Sequence, residues 1–224
     1  MTARDRARHA IAWRAARELR DGAVTNLGIG IPTLVVDYIP DGVDVVLQSE
    51  NGIVGVGPLP DSDRADADCC NAGNAPVGVL PGGSYIDSLT SFGLIRGGHI
   101  DVTMLGTLQV DSEGNIANYE ADGRRIGMGG AMDLVAGART VYVLTEHCDR
   151  AGRPKLVRRC DLPLTGASEC DAIITERAVF KRGPAGGFVL TEVAHGHTLD
   201  EIAASTPMLY AVAEDVELDA WGAS

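Results

Sequence analysis

Val43-Asp-Val-Val-Leu-Gln-Ser-Glu-Asn-Gly52 is the stretch on which the fold of this chain turns. Val43, Val45, Val46 and Leu47 form a short apolar, mostly β-branched run of the kind that fills a parallel sheet. Ser49, Glu50, Asn51 and Gly52 follow, then Gly55, Gly57 and Pro58, so the expected buried strand stops at a carboxylate. A carboxylate at the C-terminal end of such a strand stands where open α/β sheets place their ligands. The glycines allow other backbone or a substrate to come close. Glu50 is therefore the candidate nucleophile. On position alone it fits an ordinary polar residue of a strand-to-loop turn equally well, because loops are rich in such residues. Its neighbours must decide.

Upstream, residues 5–21 read as a helix. Ala7, Ile11, Ala12, Ala15, Ala16 and Leu19 recur at helical spacing, and Gly22 supplies a stop. The stripe is thin and alanine-rich, which predicts a helix over a sheet edge or a partner. Residues 23–27 read as a first strand ending in Gly28-Ile-Gly30-Ile-Pro32-Thr33. Pro32 suits the first turn of a helix, where its missing donor costs nothing, and 34–38 continue that helix. With residues 43–48 as the next strand, this is a βαβ unit, expected to be right-handed.

Downstream, residues 53–75 are less regular, with an acidic segment at Asp61, Asp63, Asp66 and Asp68 that lacks the calcium-loop pattern. Residues 76–80 read as a strand, 84–92 as a short helix and 99–105 as a strand. Residues 108–110 and 115–119 read as a hairpin about Asp111-Ser-Glu-Gly114. Gly127-Met-Gly-Gly-Ala-Met-Asp133 opens a helix to about 138, and 140–145 is another buried strand. Beyond it lies a basic cluster of Arg150, Arg153, Lys155, Arg158 and Arg159. Residues 172–180 and 187–193 then read as two strands, 199–205 as a helix and 209–212 as an edge strand. The fold class is α/β: an open, mostly parallel sheet flanked by helices, with a more antiparallel C-terminal part. No repeat or linker divides residues 1–224, so one domain is expected.

Composition excludes several function classes. A net charge of -12 argues against nucleic acid or an anionic membrane as a partner. The five cysteines include an adjacent pair and no CxxC, which fits a reduced set rather than a disulfide framework. The first residues lack the apolar core of a signal peptide, and no apolar run is long enough to span a bilayer. A cytoplasmic protein is the expectation.

Gly28-Ile-Gly30 is part of a dinucleotide fingerprint, but Thr33 stands where the third glycine belongs. Its better use is a tight strand–helix turn beside Glu50. Gly127-Met-Gly-Gly130 stands at a helix start, where exposed N–H groups hold an anion or a developing oxyanion; a plain glycine turn is the alternative. His195 and His197 have no supporting ligands for a metal, and none is expected. His147 beside Cys148 does not by itself make a nucleophile and its base.

Taken together, these residues resemble the beta (B) subunit of the family I CoA-transferases, the 3-oxoacid CoA-transferases. The matching blocks are Asn26-Leu-Gly-Ile-Gly-Ile-Pro-Thr-Leu-Val35, Leu47-Gln-Ser-Glu-Asn-Gly52, Asn71-Ala-Gly73, Ser91-Phe92 with Ile95-Arg-Gly-Gly-His99, Gly127-Met-Gly-Gly-Ala-Met-Asp-Leu-Val135 and Leu162-Pro-Leu-Thr-Gly166. The resemblance implies an open α/β sheet and an active site completed by a separate alpha (A) subunit, in a heterodimer or α2β2 heterotetramer. It implies that Glu50 attacks an acyl-CoA, with Asn51 and Gly52 shaping its loop and Gly129 and Gly130 as oxyanion donors. It places Asn26, Gly28, Gly30 and Asn74 at the substrate. CoA enters as co-substrate and no other cofactor is implied. The implied substrates are succinyl-CoA or a similar acyl-CoA and a short 3-oxo acid such as acetoacetate. A 3-oxoadipate transferase, an acyl-CoA hydrolase or a C–C-cleaving enzyme on the same scaffold are the alternatives.

Two positions depart from the family pattern. Asn74 stands where Asn-Ala-Gly-Lys is usual, which removes a charge-assisted contact of about 1.5–3 kcal/mol. Tyr119 stands where a tryptophan is common. Both bear on the choice of acid.

Overall fold

The computed structural model describes residues 1–222 apart from 60, 62–64, 67, 122, 126 and 185. Among the described residues the strands are β1 (Val24–Leu27), β2 (Val46–Ser49), β3 (Ile53–Gly57), β4 (Gly78–Tyr85), β5 (Val102–Leu105), β6 (Gln109–Asp111), β7 (Ile116–Ala117), β8 (Glu120–Ala121), β9 (Arg124–Arg125), β10 (Thr140–Leu144), β11 (Leu156–Val157), β12 (Ala172–Ile174), β13 (Ala178–Arg182), β14 (Phe188–Val193) and β15 (Tyr210–Glu217). The helices are α1 (Ala3–Ala16), α2 (Ser88–Arg96), α3 (Ala131–Gly137) and α4 (Leu199–Ser205), with a 3₁₀ segment at Pro32–Tyr38. None of the helices is long and apolar enough to cross a membrane.

Ten strands make one sheet in the order β15-β14-β13-β12-β10-β5-β1-β2-β3-β4. Its centre is parallel: β2, β1, β5, β10 and β12 all run the same way. This is the expected mostly parallel α/β sheet. Antiparallel pairs lie on both flanks, at β2–β3–β4 as well as at β12–β13–β14; only the second was expected. The β3 strand falls in the stretch read as irregular, because its glycines break the alternation that marks a strand. The small sheet β11-β6-β7 contains the expected hairpin.

Alternate residues face opposite layers, as the period of two requires. Met104, Leu144, Ile174 and Val179 pack against Ile11, Ala12, Ala15 and Ala16 of α1. Leu105, Val141, Val143, Ile173 and Phe180 face the other way, toward Val135 of α3 and Ile202 of α4. A third cluster joins Ile95 of α2, Ile100 and Leu134 of α3. The alanine stripe of α1 thus covers the sheet centre, over β10 and β12, rather than an edge. The helix also ends earlier than residue 21: after Ala16 the chain tightens into i→i−3 turns, with Glu18 donating to Ala15 and Leu19 to Ala16.

Other expectations shift. The segment about 84–92 divides, since Ser84 and Tyr85 complete β4 and α2 begins at Ser88, capped by Asp87. Residues 172–180 are two strands, because the Thr175 hydroxyl accepts from the amides of Arg177 and Ala178 and turns the chain. Of the acidic segment, Asp63 lies outside the described residues. The opening strand is shorter and more open than its sequence indicates. β2 begins at Val46, which is 37% exposed, while Val43, Val45 and Leu47 line a cavity. On this face α1 lies over β10 and β12 and the 3₁₀ segment over β1, so the β2 side is left without a covering helix.

Candidate active site

Parallel strands deliver their C-terminal ends to one edge of a sheet, and loops there collect side chains distant in sequence. Here β1 ends at Gly28, β2 at Glu50 and β5 near Gly106. The Gly28 amide donates to Met104 O at 2.8 Å, which holds the β1 loop against β5. Gly30 precedes the 3₁₀ segment, and its carbonyl accepts from the Thr33 hydroxyl at 2.7 Å. Pro32 then starts that segment, as expected.

Glu50 follows β2 directly. Its Oε2 accepts from Asn26 Nδ2 at 3.1 Å. The same amide nitrogen donates to Gln48 Oε1 at 2.8 Å and to the Gln48 carbonyl at 3.2 Å. Gln48 Nε2 in turn donates to Ser91 Oγ of α2 at 2.9 Å. Asn26, Gln48 and Ser91 are all buried. Asn26 and Gln48 are register partners on β1 and β2, so their side chains share one face of the sheet, the face that α2 covers. Asn26 thus sits beneath Glu50 and grips the carboxylate itself.

The loop after Glu50 is held at several points. Gly52 has φ of +121°, a conformation that glycine adopts without strain. A Cβ there would collide with the Ile86 carbonyl oxygen. Ile86 N donates to Gly52 O at 2.9 Å, and Gly52 N to Ser49 O at 2.9 Å. Asn51 Nδ2 donates to Cys70 O at 2.8 Å, and the Ser49 hydroxyl accepts from Ala72 N at 2.9 Å. Asn51 is therefore a tie between the Glu50 loop and the 69–75 segment. That segment is wound about Asn71, whose Oδ1 accepts from the amides of Gly73 and Ala75. Asn74 is exposed at its tip with φ of 60°, left-handed backbone that asparagine tolerates better than most residues. It does not line the cavity.

The second glycine-rich block meets Glu50 in space. Gly130 is the residue before α3, and a Cβ built on it would lie 3.2 Å from Glu50 Cγ and 3.3 Å from the Phe92 ring. Gly129 is exposed beside it with φ of 50°. Among the described residues, neither amide donates to another backbone carbonyl. Two free N–H groups next to a carboxylate nucleophile are placed to receive an oxyanion.

Glu50 opens on a cavity of about 660 Å³. Its polar end is Gln48, Ser49, Glu50 and Asn71; its walls include Val36, Val45, Leu47, Val56 and Leu80. Gly28 and Ile29 also line it. Sequence reasoning missed Gln48 and Ser91 as members of the site. The signal for Gln48 was present, as a long amide among the apolar residues of a strand.

The remaining candidates lie elsewhere. His147 is fully buried between the hydroxyls of Thr175 and Thr206, and burial pushes its pKa down to about 3. Burial likewise raises the Cys148 thiol above its usual range. His195 contacts Asp219, and His197 lies 3.9 Å from Glu201. In the basic cluster Arg153 pairs with Asp149, while Lys155 is largely buried and donates to Thr107 O and the Thr145 hydroxyl.

Residues 8–205 match the family model described as Coenzyme A transferase. The chain is 50% identical over 211 residues to the beta subunit of the acetate CoA-transferase of Escherichia coli K12, covering 94% of this chain and 96% of that one. It is 46% identical to the B-type subunit of the probable succinyl-CoA:3-ketoacid coenzyme A transferase of Bacillus subtilis, covering 94% and 97%. The human mitochondrial succinyl-CoA:3-ketoacid coenzyme A transferase 2 is 47% identical, but the chain spans only 41% of its length. Among solved structures, an acyl-CoA transferase from Escherichia coli O157:H7 superposes with a TM-score of 0.76 at 25% identity, over 95% of this chain and 43% of that one.

Proposed function

This chain belongs to the coenzyme A transferase family, and we propose that it is the nucleophile-bearing subunit of a 3-oxoacid CoA-transferase. The observation that carries the reading is the placement of Glu50, between the Asn26 amide and the Gly130 loop at the mouth of a cavity.

In this reading the Glu50 carboxylate attacks the thioester carbonyl of an acyl-CoA. The C–S bond breaks, CoA leaves as thiolate and an acyl-glutamyl anhydride forms. The thiolate then attacks the glutamyl carbonyl and expels the free acid, leaving a glutamyl-CoA thioester. A second carboxylate runs the same steps in reverse and departs as its CoA ester. This is ping-pong covalent catalysis. A carboxylate suits it because it forms both an anhydride and a thioester, so the energy of the thioester is retained. The amides of Gly129 and Gly130 receive the charge that develops in each attack, and one such donor lowers a barrier by about 3 kcal/mol.

The acids are a short 3-oxo acid such as acetoacetate and the acid of succinyl-CoA or a similar donor. Asn74, exposed and uncharged, contributes at most a neutral hydrogen bond to them. A companion alpha subunit completes the pocket in a heterodimer or heterotetramer. Support comes from the relatives: those matched end to end are named as the beta or B member of a subunit pair, and the single-chain mitochondrial protein is more than twice as long.

The test uses the chain assembled with its companion. Incubation with acyl-CoA, borohydride reduction and peptide mass spectrometry should find the modification on Glu50, and Glu50→Gln should reduce transfer to background. Full activity in Glu50→Gln would overturn the mechanism. Release of free CoA at an unchanged rate without any acceptor acid would make the protein a hydrolase instead.

A further inference from the structure

We propose that Gln48 and Ser91 are positioning residues for Glu50, acting in line through Asn26. The proposal rests on the reading of Glu50 as nucleophile and goes beyond it, since neither residue reaches the carboxylate.

The argument begins with the polarity of an amide. An ionised carboxylate only accepts hydrogen bonds, so Asn26 must turn its NH2 and not its Oδ1 toward Glu50. In the structure that NH2 serves Glu50 Oε2 and Gln48 Oε1 together. Gln48 must therefore present its oxygen to Asn26 and its nitrogen away. Ser91 Oγ takes that nitrogen at 2.9 Å. Reversing Gln48 would set its NH2 against that of Asn26, and Asn26 would then be driven to reverse as well and face Glu50 with an oxygen. Ser91 thus sets the sense of Gln48, Gln48 sets the sense of Asn26, and Asn26 holds one oxygen of Glu50. Glu50 Oε1 makes no hydrogen bond within the described residues and is the oxygen left to attack.

Burial makes the line sensitive. Ser91 is 0%, Asn26 1% and Gln48 3% exposed, so solvent water does not replace a missing member. The same helix also touches the opposite side of the nucleophile: Phe92, next to Ser91, abuts Gly130 beside Glu50 Cγ. One turn of α2 therefore spaces the carboxylate from the N–H groups that receive the oxyanion. A misplacement of about 1 Å in such a pair can cost 100-fold in rate.

The experiment is a double-mutant cycle on the assembled enzyme, preceded by trapping of the wild-type adduct. Absence of an adduct on Glu50 in the wild type would remove the functional reading, whatever the variants do. With the adduct present, Ser91→Ala and Gln48→Leu should each lower kcat about 10- to 100-fold, with KM for acyl-CoA within about twofold. In an Asn26→Ala background, Ser91→Ala should change kcat less than about twofold, because the line it feeds is already cut. A loss that simply multiplies with that of Asn26→Ala, or an unchanged kcat in Ser91→Ala, would overturn the proposal. Should Gln48→Leu fail to fold, Ser91→Ala and Asn26→Ala complete the cycle without it. Thermal unfolding of each variant separates a loss of folded enzyme from a loss of rate.

Discussion

His147 carries the side chain most often recruited for proton transfer, and its surroundings forbid that use. It is buried between two threonine hydroxyls, and its pKa lies at about 3 in the fold against about 6.5 in an open chain. Between those values the unfolded chain binds a proton that the folded one refuses. Stability should therefore be full above about pH 6.5 and fall as pH drops toward 3. His147→Gln should flatten this fall, most visibly between about pH 6.5 and 5, above the range where carboxylates titrate; thermal unfolding of both proteins across that window is the measurement. An unchanged slope would assign the acid sensitivity elsewhere. Glu50 is the opposite case. Nothing in its own position distinguishes it from a loop residue, and its company does. The polar end of a β-branched run, with glycines after it, was legible in the chain. That Gln48 and Ser91 stand behind it was not, because hydrogen-bond partners 43 residues apart leave no local pattern.

At the scale of elements, the turn from β2 into β3 depends on one residue. Gly52 combines a positive φ with the close approach of the Ile86 carbonyl. Gly52→Ala should cost about 1–3 kcal/mol of stability and also lower activity, since Glu50 lies two residues before the turn. Urea unfolding and steady-state kinetics check the two effects separately; full activity would show that the loop relaxes without moving the carboxylate. The same turn explains what sequence patterning overlooked. Apolar runs and helix caps betray their elements locally, as at β10, α3 and α4. The strands β3 and β4 are glycine-rich and pair antiparallel with one another, so they lack both the apolar run of a central strand and clean alternation. The Thr175 turn is hidden for a similar reason: a threonine side chain that bonds its own backbone looks like one more β-branched strand residue.

Across the whole molecule, α1 is clamped to the sheet by charge as well as by apolar packing. Arg14 pairs with Glu192 of β14 and with Glu18, and Lys181 of β13 also reaches Glu18. Arg14 is 8% exposed at its side chain, with Glu18 at 15% and Glu192 at 14%. Tyr142 donates to Glu18, and burial with that carboxylate raises its pKa to about 12. Cutting such a cluster from one side strands the opposite charge. Arg14→Ala should cost about 3–5 kcal/mol, read as a lower denaturation midpoint; a change under about 1 kcal/mol would show the carboxylates finding water instead. By itself the sequence determined the order of strands and helices, the α/β class, and a carboxylate with glycine-rich loops at strand ends, because those features follow from periodicity and backbone freedom within a few residues. Only the tertiary structure decided that the flank beside β2 is antiparallel and open, that Gly130 abuts Glu50, and that Asn26, Gln48 and Ser91 form one line beneath it. These depend on which strands lie side by side and in what register. A parallel sheet sets that through contacts distant along the chain, and so brings its strand ends, and the residues they carry, to a single edge.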